Sequence, residues 1–316
     1  MREKLAKEII ADLPKDRTLF YYFKDRYAVM LLEQMLASEN SISQIKKSKF
    51  NKLLVRPPLA DLIKQKGDGK LSKQDLGACW PVNPLCYRLT LGTWGEEKPK
   101  FAQSYYQTSR KGINLVLQLN FSRKHDTEYE KLIDQTDAQP FNYEDHPTAR
   151  AGFNTLAWAR IDLDFESGEA LIEELQSDWV RYVRAGRNRL SGALGRGERS
   201  IEFFGVTLSF KTFYNYLGLV VAEHLKLWDE ALLSATIWFL QNELHINKIY
   251  MHDFETGNRL KSIANRVPPQ SLYSDLPRKF CFTKIDQAPS FLSEKPSRAF
   301  KSMSKAGTLR FWKLER

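Results

Sequence analysis

Leu171-Ile172-Glu173-Glu174-Leu175-Gln176-Ser177-Asp178-Trp179 passes from an apolar, strand-like start into a dense run of carboxylates, amide, hydroxyl and indole. A plain core strand has no use for that concentration of polar groups, whereas a site at the end of a strand does. Upstream, residues 156–165 alternate, with Ile161, Leu163 and Phe165 on one side and Arg160, Asp162 and Asp164 on the other. Glu166-Ser167-Gly168 is a turn, and residues 170–176 return, so the stretch predicts a β-hairpin. Strict alternation puts Ile172, Glu174, Gln176 and Asp178 on one face of the returning strand and Leu171, Glu173, Leu175 and Ser177 on the other. The face with Glu174, Gln176 and Asp178 is the candidate catalytic surface. A carboxylate there serves either as a general base toward an amine or as a partner for a basic side chain; in the plainer alternative Asp178 caps the next helix.

Working outward, residues 228–244 predict the most secure helix. Trp228, Ala231, Leu232, Ala235, Trp238 and Phe239 form a stripe that Leu233, Ile237, Leu240 and Leu244 broaden, so this helix is largely buried. Residues 248–251 predict a strand with His252-Asp253 at its end, where His252 is a candidate acid–base group or a structural hydrogen-bonding residue. Glu255-Thr256-Gly257-Asn258 opens a further helix, whose free amides are a candidate anion site unless Thr256 is an ordinary cap. Residues 279–283 and 309–313 read as late strands, and 113–121 as an earlier one.

The N-terminal part is read differently. Residues 1–75 predict a small helical module, including one helix over 19–36 and a second after the cap Ser41-Ile42-Ser43-Gln44. A helix-turn-helix reader of DNA is one use of such a module. Residues 76–110, rich in Pro, Gly and aromatic residues, read as a connecting region, and 111–316 as the α+β core. Within that core, 180–227 reads as a long basic insertion whose secondary structure the sequence leaves open. The fold class is α+β, a mostly antiparallel sheet with packed helices.

The chain has 316 residues, 42% hydrophobic and 27% charged, ordinary for a globular protein. No apolar run approaches the roughly 20 residues that span a bilayer, so no membrane role is expected. Three cysteines without a CxxC pair argue for reduced thiols in a cytoplasm. The net charge of +10 fits either solvated basic faces or a polyanionic partner such as nucleic acid. It is concentrated in Lys46, Lys47, Lys49 and Lys52 and in Arg181, Arg184, Arg187, Arg189, Arg196 and Arg199. Arginine suits bidentate phosphate contact, so Arg184, Arg187 and Arg189 are candidate ligands for a phosphate-rich cofactor. No P-loop, GxSxG elbow or HExxH is present, and the other histidines lack metal-ligand spacing.

Glu174, Gln176, Ser177, Asp178 and Trp179, then Trp228-Asp229-Glu230-Ala231-Leu232, then Thr256-Gly257 resemble a domain of large polyvalent proteins from phages and conjugative elements. That domain carries an E-[IV]-Q-S-D-W strand, and the likeness covers roughly residues 153–285. Val180-Arg181 departs from the His or Gln that often follows the motif. The resemblance implies a phage, plasmid or defence setting rather than a reaction.

The predicted strand order is also similar to GNAT acyltransferases. That similarity implies acyl-CoA as cofactor, met by Glu173–Gln176 and by the helix after them, and an acyl-type group passed to an amine. The GNAT signature [QR]-x-x-G-x-[GA] is missing after the strand; the nearest stretch, 189–197, is displaced, with Leu194 where a small residue is required. The alternative is a non-catalytic nucleic-acid or partner-binding protein on the same core.

Overall fold

The computed structural model describes residues 1–12, 19–36, 39–96, 106–133, 141, 145–148, 152–203, 206–264, 267–294 and 296–315. Its strands are β1 (Leu19–Tyr22), β2 (Glu39–Ser41), β3 (Lys70–Ser72), β4 (Leu85–Trp94), β5 (Asn114–Asn120), β6 (Thr155–Asp164), β7 (Glu169–Gln176), β8 (Ser200–Phe203), β9 (Val206–Ser209), β10 (Lys248–His252), β11 (Thr283–Ile285) and β12 (Phe311–Leu314). Eight of them form one sheet in the order β1-β4-β5-β6-β7-β10-β12-β11. Every neighbouring pair is antiparallel except β7 and β10. The parallel step needs a long crossover, and the chain between these strands supplies it with helices. The class is therefore α+β with a mostly antiparallel sheet, as expected.

The sheet has two unlike faces. Leu89, Leu115, Leu117, Ala159, Ile161, Ile172, Leu175, Ile249 and Met251 join the main core, together with residues of the helices Arg26–Met35 and Ala222–Trp238. The second helix is buried almost all round, from Trp228 through Ile237, which the broad apolar stripe anticipates. Toward the β10 edge, the opposite face carries a smaller cluster in which Leu171, Tyr250 and Phe311 meet Leu260, Phe291, Phe300 and Met303. Toward β6 and β7 the same face turns polar.

Three sequence expectations need correction. Leu19-Phe20-Tyr21-Tyr22 is strand β1, with alternating exposed and buried residues, and the helix starts only at Arg26, after Asp25 adopts φ 64°. Aromatic residues on a half-buried strand outweigh the helical period there. The region 76–110 contributes β4, a ten-residue strand paired on both edges. The stretch 180–227, whose structure the sequence leaves open, holds most of the helix Asp178–Gly195, the β8–β9 hairpin, a helix Phe210–Asn215 and a π-helical turn Tyr216–Val220. The late strand expected at 279–283 is also displaced, to β11, because residues 275–279 form a helical turn. Among the described residues no helix is long and apolar enough to cross a membrane.

Candidate functional site

The pairing of β6 with β7 shifts register between Arg160 and Ile161, with Arg160 opposite Glu174 and Ile161 opposite Ile172. Glu173 is thus the extra residue of a β-bulge, a device that re-aims side chains. Ile172 and Leu175 both face the main core, while Glu173 and Glu174 both reach the polar face. Simple alternation placed Glu173 with Leu175 and so split the two carboxylates; the bulge joins them. No local sequence signal marks it.

These two carboxylates form an enclosed cluster with Arg160, Lys261, His252 and Ser109. Arg160 donates to Glu174 Oε2 and to the carbonyls of Tyr106 (2.6 Å) and Gln107 (2.9 Å). Ser109 donates its amide to Glu173 Oε1 (3.1 Å) and its hydroxyl to Glu173 Oε2 (2.8 Å), and lies 2.7 Å from His252 Nε2. With the hydroxyl proton on Glu173, His252 Nε2–H is the donor to Ser109, and Nδ1 is buried without a partner. The carboxylate holds the serine rather than the imidazole, so this is not the Ser–His–acid arrangement of a nucleophile. Glu173 and His252 are wholly buried, Arg160 and Lys261 nearly so.

Burial sets the charges. It raises the Glu173 carboxyl, against the pull of Lys261, and lowers the Lys261 ammonium, against Glu174. Burial alone would raise Glu174 too, but the charges of Arg160 and Lys261 and the Arg160 hydrogen bond hold it below its ordinary value. His252 is driven well below 6.5 by burial, then by Lys261 and Arg160, and is neutral.

The parallel ladder of β7 with β10 ends at the pair Ile172–Met251. Beyond it the free edge of β7 is served by side chains. Lys261 Nζ donates to the Glu173 carbonyl at 2.9 Å, and the Tyr273 hydroxyl meets the Leu175 amide at 3.5 Å. β10 ends at His252 while β7 runs on to Gln176, so these two side chains meet the β7 backbone along an edge where no strand does.

A second cluster sits where β7 runs into the Asp178–Gly195 helix. Ser177 is the helix cap, accepting from the Val180 amide at 3.0 Å. The Asp178 carboxylate accepts from His146 Nδ1 (2.8 Å), Trp158 Nε1 (3.3 Å) and Gln176 Nε2 (2.9 Å), and Arg181 lies 3.4 Å away. Burial would raise this acid; His146 above all, then Gln176 and Arg181, bring it below its ordinary value. The His146 side chain is 23% exposed and that of Asp178 only 2%, so the imidazole is the reachable member of the pair. No local pattern marks His146, which lies on a separate segment and joins the motif only through the fold.

Of the residues expected to hold a cofactor, Arg184, Arg187 and Arg189 lie exposed on the Asp178–Gly195 helix, away from the enclosed cluster. Arg187 reaches the Leu217 carbonyl at 3.5 Å and Arg189 that of Glu202 at 3.1 Å. Thr256 and Gly257 are buried and structural. Thr256 Oγ1 accepts from the Arg310 amide at 3.0 Å, and the cap of this short helix is Asp253. Asn258 is half-buried on the same helix. Among the described residues no group of His, Cys, Asp and Glu suits a metal ion.

Gly257 explains how this helix closes on His252. A Cβ there would lie 3.0 Å from His252 Cβ and 3.3 Å from Cγ. Gly257→Ala should therefore lower stability by about 1–3 kcal/mol, although Ala is the better helix former. A thermal melt checks this, and a raised Tm would show that the helix can move away freely.

Acid should loosen the fold. Burial draws His224 from 6.5 down to about 3 and also lowers His125 and His252. The folded state thus binds fewer protons than the unfolded chain below pH 6.5, so stability falls as pH falls from 6.5 toward 3. His224 alone accounts for about 1.4 kcal/mol per pH unit in that window. Glu173, raised in the fold, works in the opposite direction. Urea midpoints between pH 7 and 4.5 should decline, and His224→Gln should flatten the decline.

Comparison with protein-family models, with curated proteins and with solved structures finds no match for this chain. The functional reading therefore rests on the geometry above.

Proposed function

We propose that the chain is a nucleic-acid-binding protein built on a GNAT-like core whose acyl-donor crevice is filled by its own side chains. The single observation that carries this is the Asp178–Gly195 helix. Its sequence DWVRYVRAGRNRLSGALG holds no carboxylate after Asp178, and Arg181, Arg184, Arg187 and Arg189 are all exposed on it. A contiguous arginine surface gains affinity for a phosphate backbone by releasing counterions. An antiparallel run of strands passing into one parallel pair whose ladder ends at Ile172 supports the GNAT-like reading of the core.

The residues present do not suit acyl-CoA. A donor's amide arm would need the free edge of β7, where Lys261 and Tyr273 already sit. A pyrophosphate would need the start of the following helix, where Ser177 takes the Val180 amide and the buried Asp178 carboxylate opposes an anion. The resemblance to large polyvalent proteins suggests conflict between phage and host as the setting.

The experiment is fluorescence anisotropy of labelled single- and double-stranded oligonucleotides across a salt series. Replacing Arg184 and Arg187 by Ala should weaken binding without changing the fold, and lower the slope of log K against log salt by about 2. An unchanged slope would contradict the reading. One observation favours a second reading, transfer of an acyl-type group to an amine: Asp178 orients the partly exposed His146, which would accept the amine proton. In that case Asp178→Asn would abolish transfer from an activated acyl donor, with nucleic-acid binding intact.

A further inference from the structure

On the opposite side of the sheet, a cavity of about 400 Å³ lies between the helix Arg26–Met35, the turn at Phe50 and the end of β12. Its walls are apolar, from Leu31, Met35, Phe50 and Leu314. Two amide side chains also line it, Gln34 and Gln241. Gln34 Nε2 and Gln241 Oε1 are both buried without a hydrogen-bond partner, and Gln241 is 6% exposed. Leaving such an atom unpaired costs roughly 1–3 kcal/mol, so a native fold retains it for a reason. Gln241 sits in the π-helical turn Phe239–Glu243, a rare distortion that often marks functional sites.

We infer that this cavity binds the base of a nucleotide. Two carboxamide side chains, Gln34 and Gln241, line one apolar slot; a carboxamide both donates and accepts, which complements the edge of a planar heterocycle that offers a carbonyl or ring nitrogen beside an N–H. The volume is of the size that holds a small ligand, and Phe50 supplies an aromatic wall. A cation stands at the mouth. Lys49 Nζ lies 5.2 Å from the Phe50 ring centre and donates to the Glu315 carbonyl at 3.1 Å. The Glu315 carboxylate, which would repel a phosphate, is held by Lys313 at 2.6 Å. Lys46 and Lys47 are exposed in the adjoining turn. A base in the slot with its phosphate toward Lys49 thus uses the amide pair, the apolar walls and the basic cluster that the sequence singles out. This goes beyond the basic helix on the other element: the cavity stands on its own residues, and either site can fail without the other.

The test is isothermal titration calorimetry of the full chain with the four common nucleoside monophosphates, their nucleosides, and a short single-stranded oligoribonucleotide. At least one monophosphate is expected to bind in the micromolar range. Gln241→Leu and the cavity-filling Met35→Trp should each weaken it about tenfold or more, with circular dichroism unchanged. Lys49→Ala should weaken the monophosphate but not its nucleoside. Binding of the oligonucleotide in competition with the monophosphate would identify a strand end as the source, and its failure to compete a free nucleotide. The inference is overturned if no monophosphate gives heat up to millimolar concentration, or if Gln241→Leu and Met35→Trp both fold and leave binding unchanged. Binding of monophosphate to the Arg184→Ala/Arg187→Ala protein at full strength separates this site from the basic helix.

Discussion

Arg160→Met should destabilise the fold by about 3–5 kcal/mol, the usual cost of removing one partner from a buried ion pair. Arg160 is 1% exposed and is the sole cation hydrogen-bonded to the Glu174 side chain among the described contacts. Its loss also removes a donor from the carbonyls of Tyr106 and Gln107, although Tyr106 keeps the Trp94 indole N–H at 2.8 Å. Removing both partners is a different matter, because two apolar side chains of similar volume bring no unpaired charge. Arg160→Met/Glu174→Leu should therefore recover a substantial part of the loss, with coupling well outside additivity. Urea unfolding of the two single variants and the double variant measures this. A loss under about 1 kcal/mol for Arg160→Met would mean that Glu174 finds water or another partner, and that the cluster is more open than its geometry indicates.

Trp179→Ala is the second large effect, at about 3–5 kcal/mol. Trp179 is wholly buried. Its ring stands edge-on to Phe121 at 4.9 Å and to Tyr129 at 4.7 Å, and stacks on Phe141 at 5.2 Å. These partners come from segments far apart in the chain, so deleting the indole leaves a cavity that no single element can collapse to fill. Trp179→Phe should cost markedly less. The indole also anchors the first turn of the arginine-bearing helix, next to Asp178. Loosening it should therefore weaken oligonucleotide binding as well as lowering the urea midpoint. A fall in stability below about 1 kcal/mol would contradict the view that this tryptophan is packing rather than chemistry.

What the sequence disclosed was mostly local. The hairpin of β6 and β7, the buried helix with Trp228 and the strand ending at His252 follow from period and turn chemistry, and all three appear. Alternation also noted Arg160 and Asp162 on one side of β6, the side that turns out polar. What escaped was long-range or irregular. A one-residue bulge moved Glu173 to the other face, and nothing in Ile172-Glu173-Glu174-Leu175 signals it. Ser109, His146 and Lys261 come from segments remote from the motif, and only closure of the sheet brings them to it. Strand β1 was hidden inside a helical period because four aromatic and aliphatic residues satisfy either pattern. The secondary structure of the basic stretch after Trp179 was not legible because its arginines obscured an apolar side formed by Trp179, Val183, Leu190 and Ala193.

On the proposed function, Lys261 and Tyr273 close the crevice beside β7, and the working surface is the arginine face of the helix that follows. Native mass spectrometry of gently purified, nuclease-untreated protein tests it most directly. Co-purified nucleic acid with no CoA species is the result expected. CoA or an acyl-CoA bound in stoichiometric amount, with no nucleic acid, would contradict it.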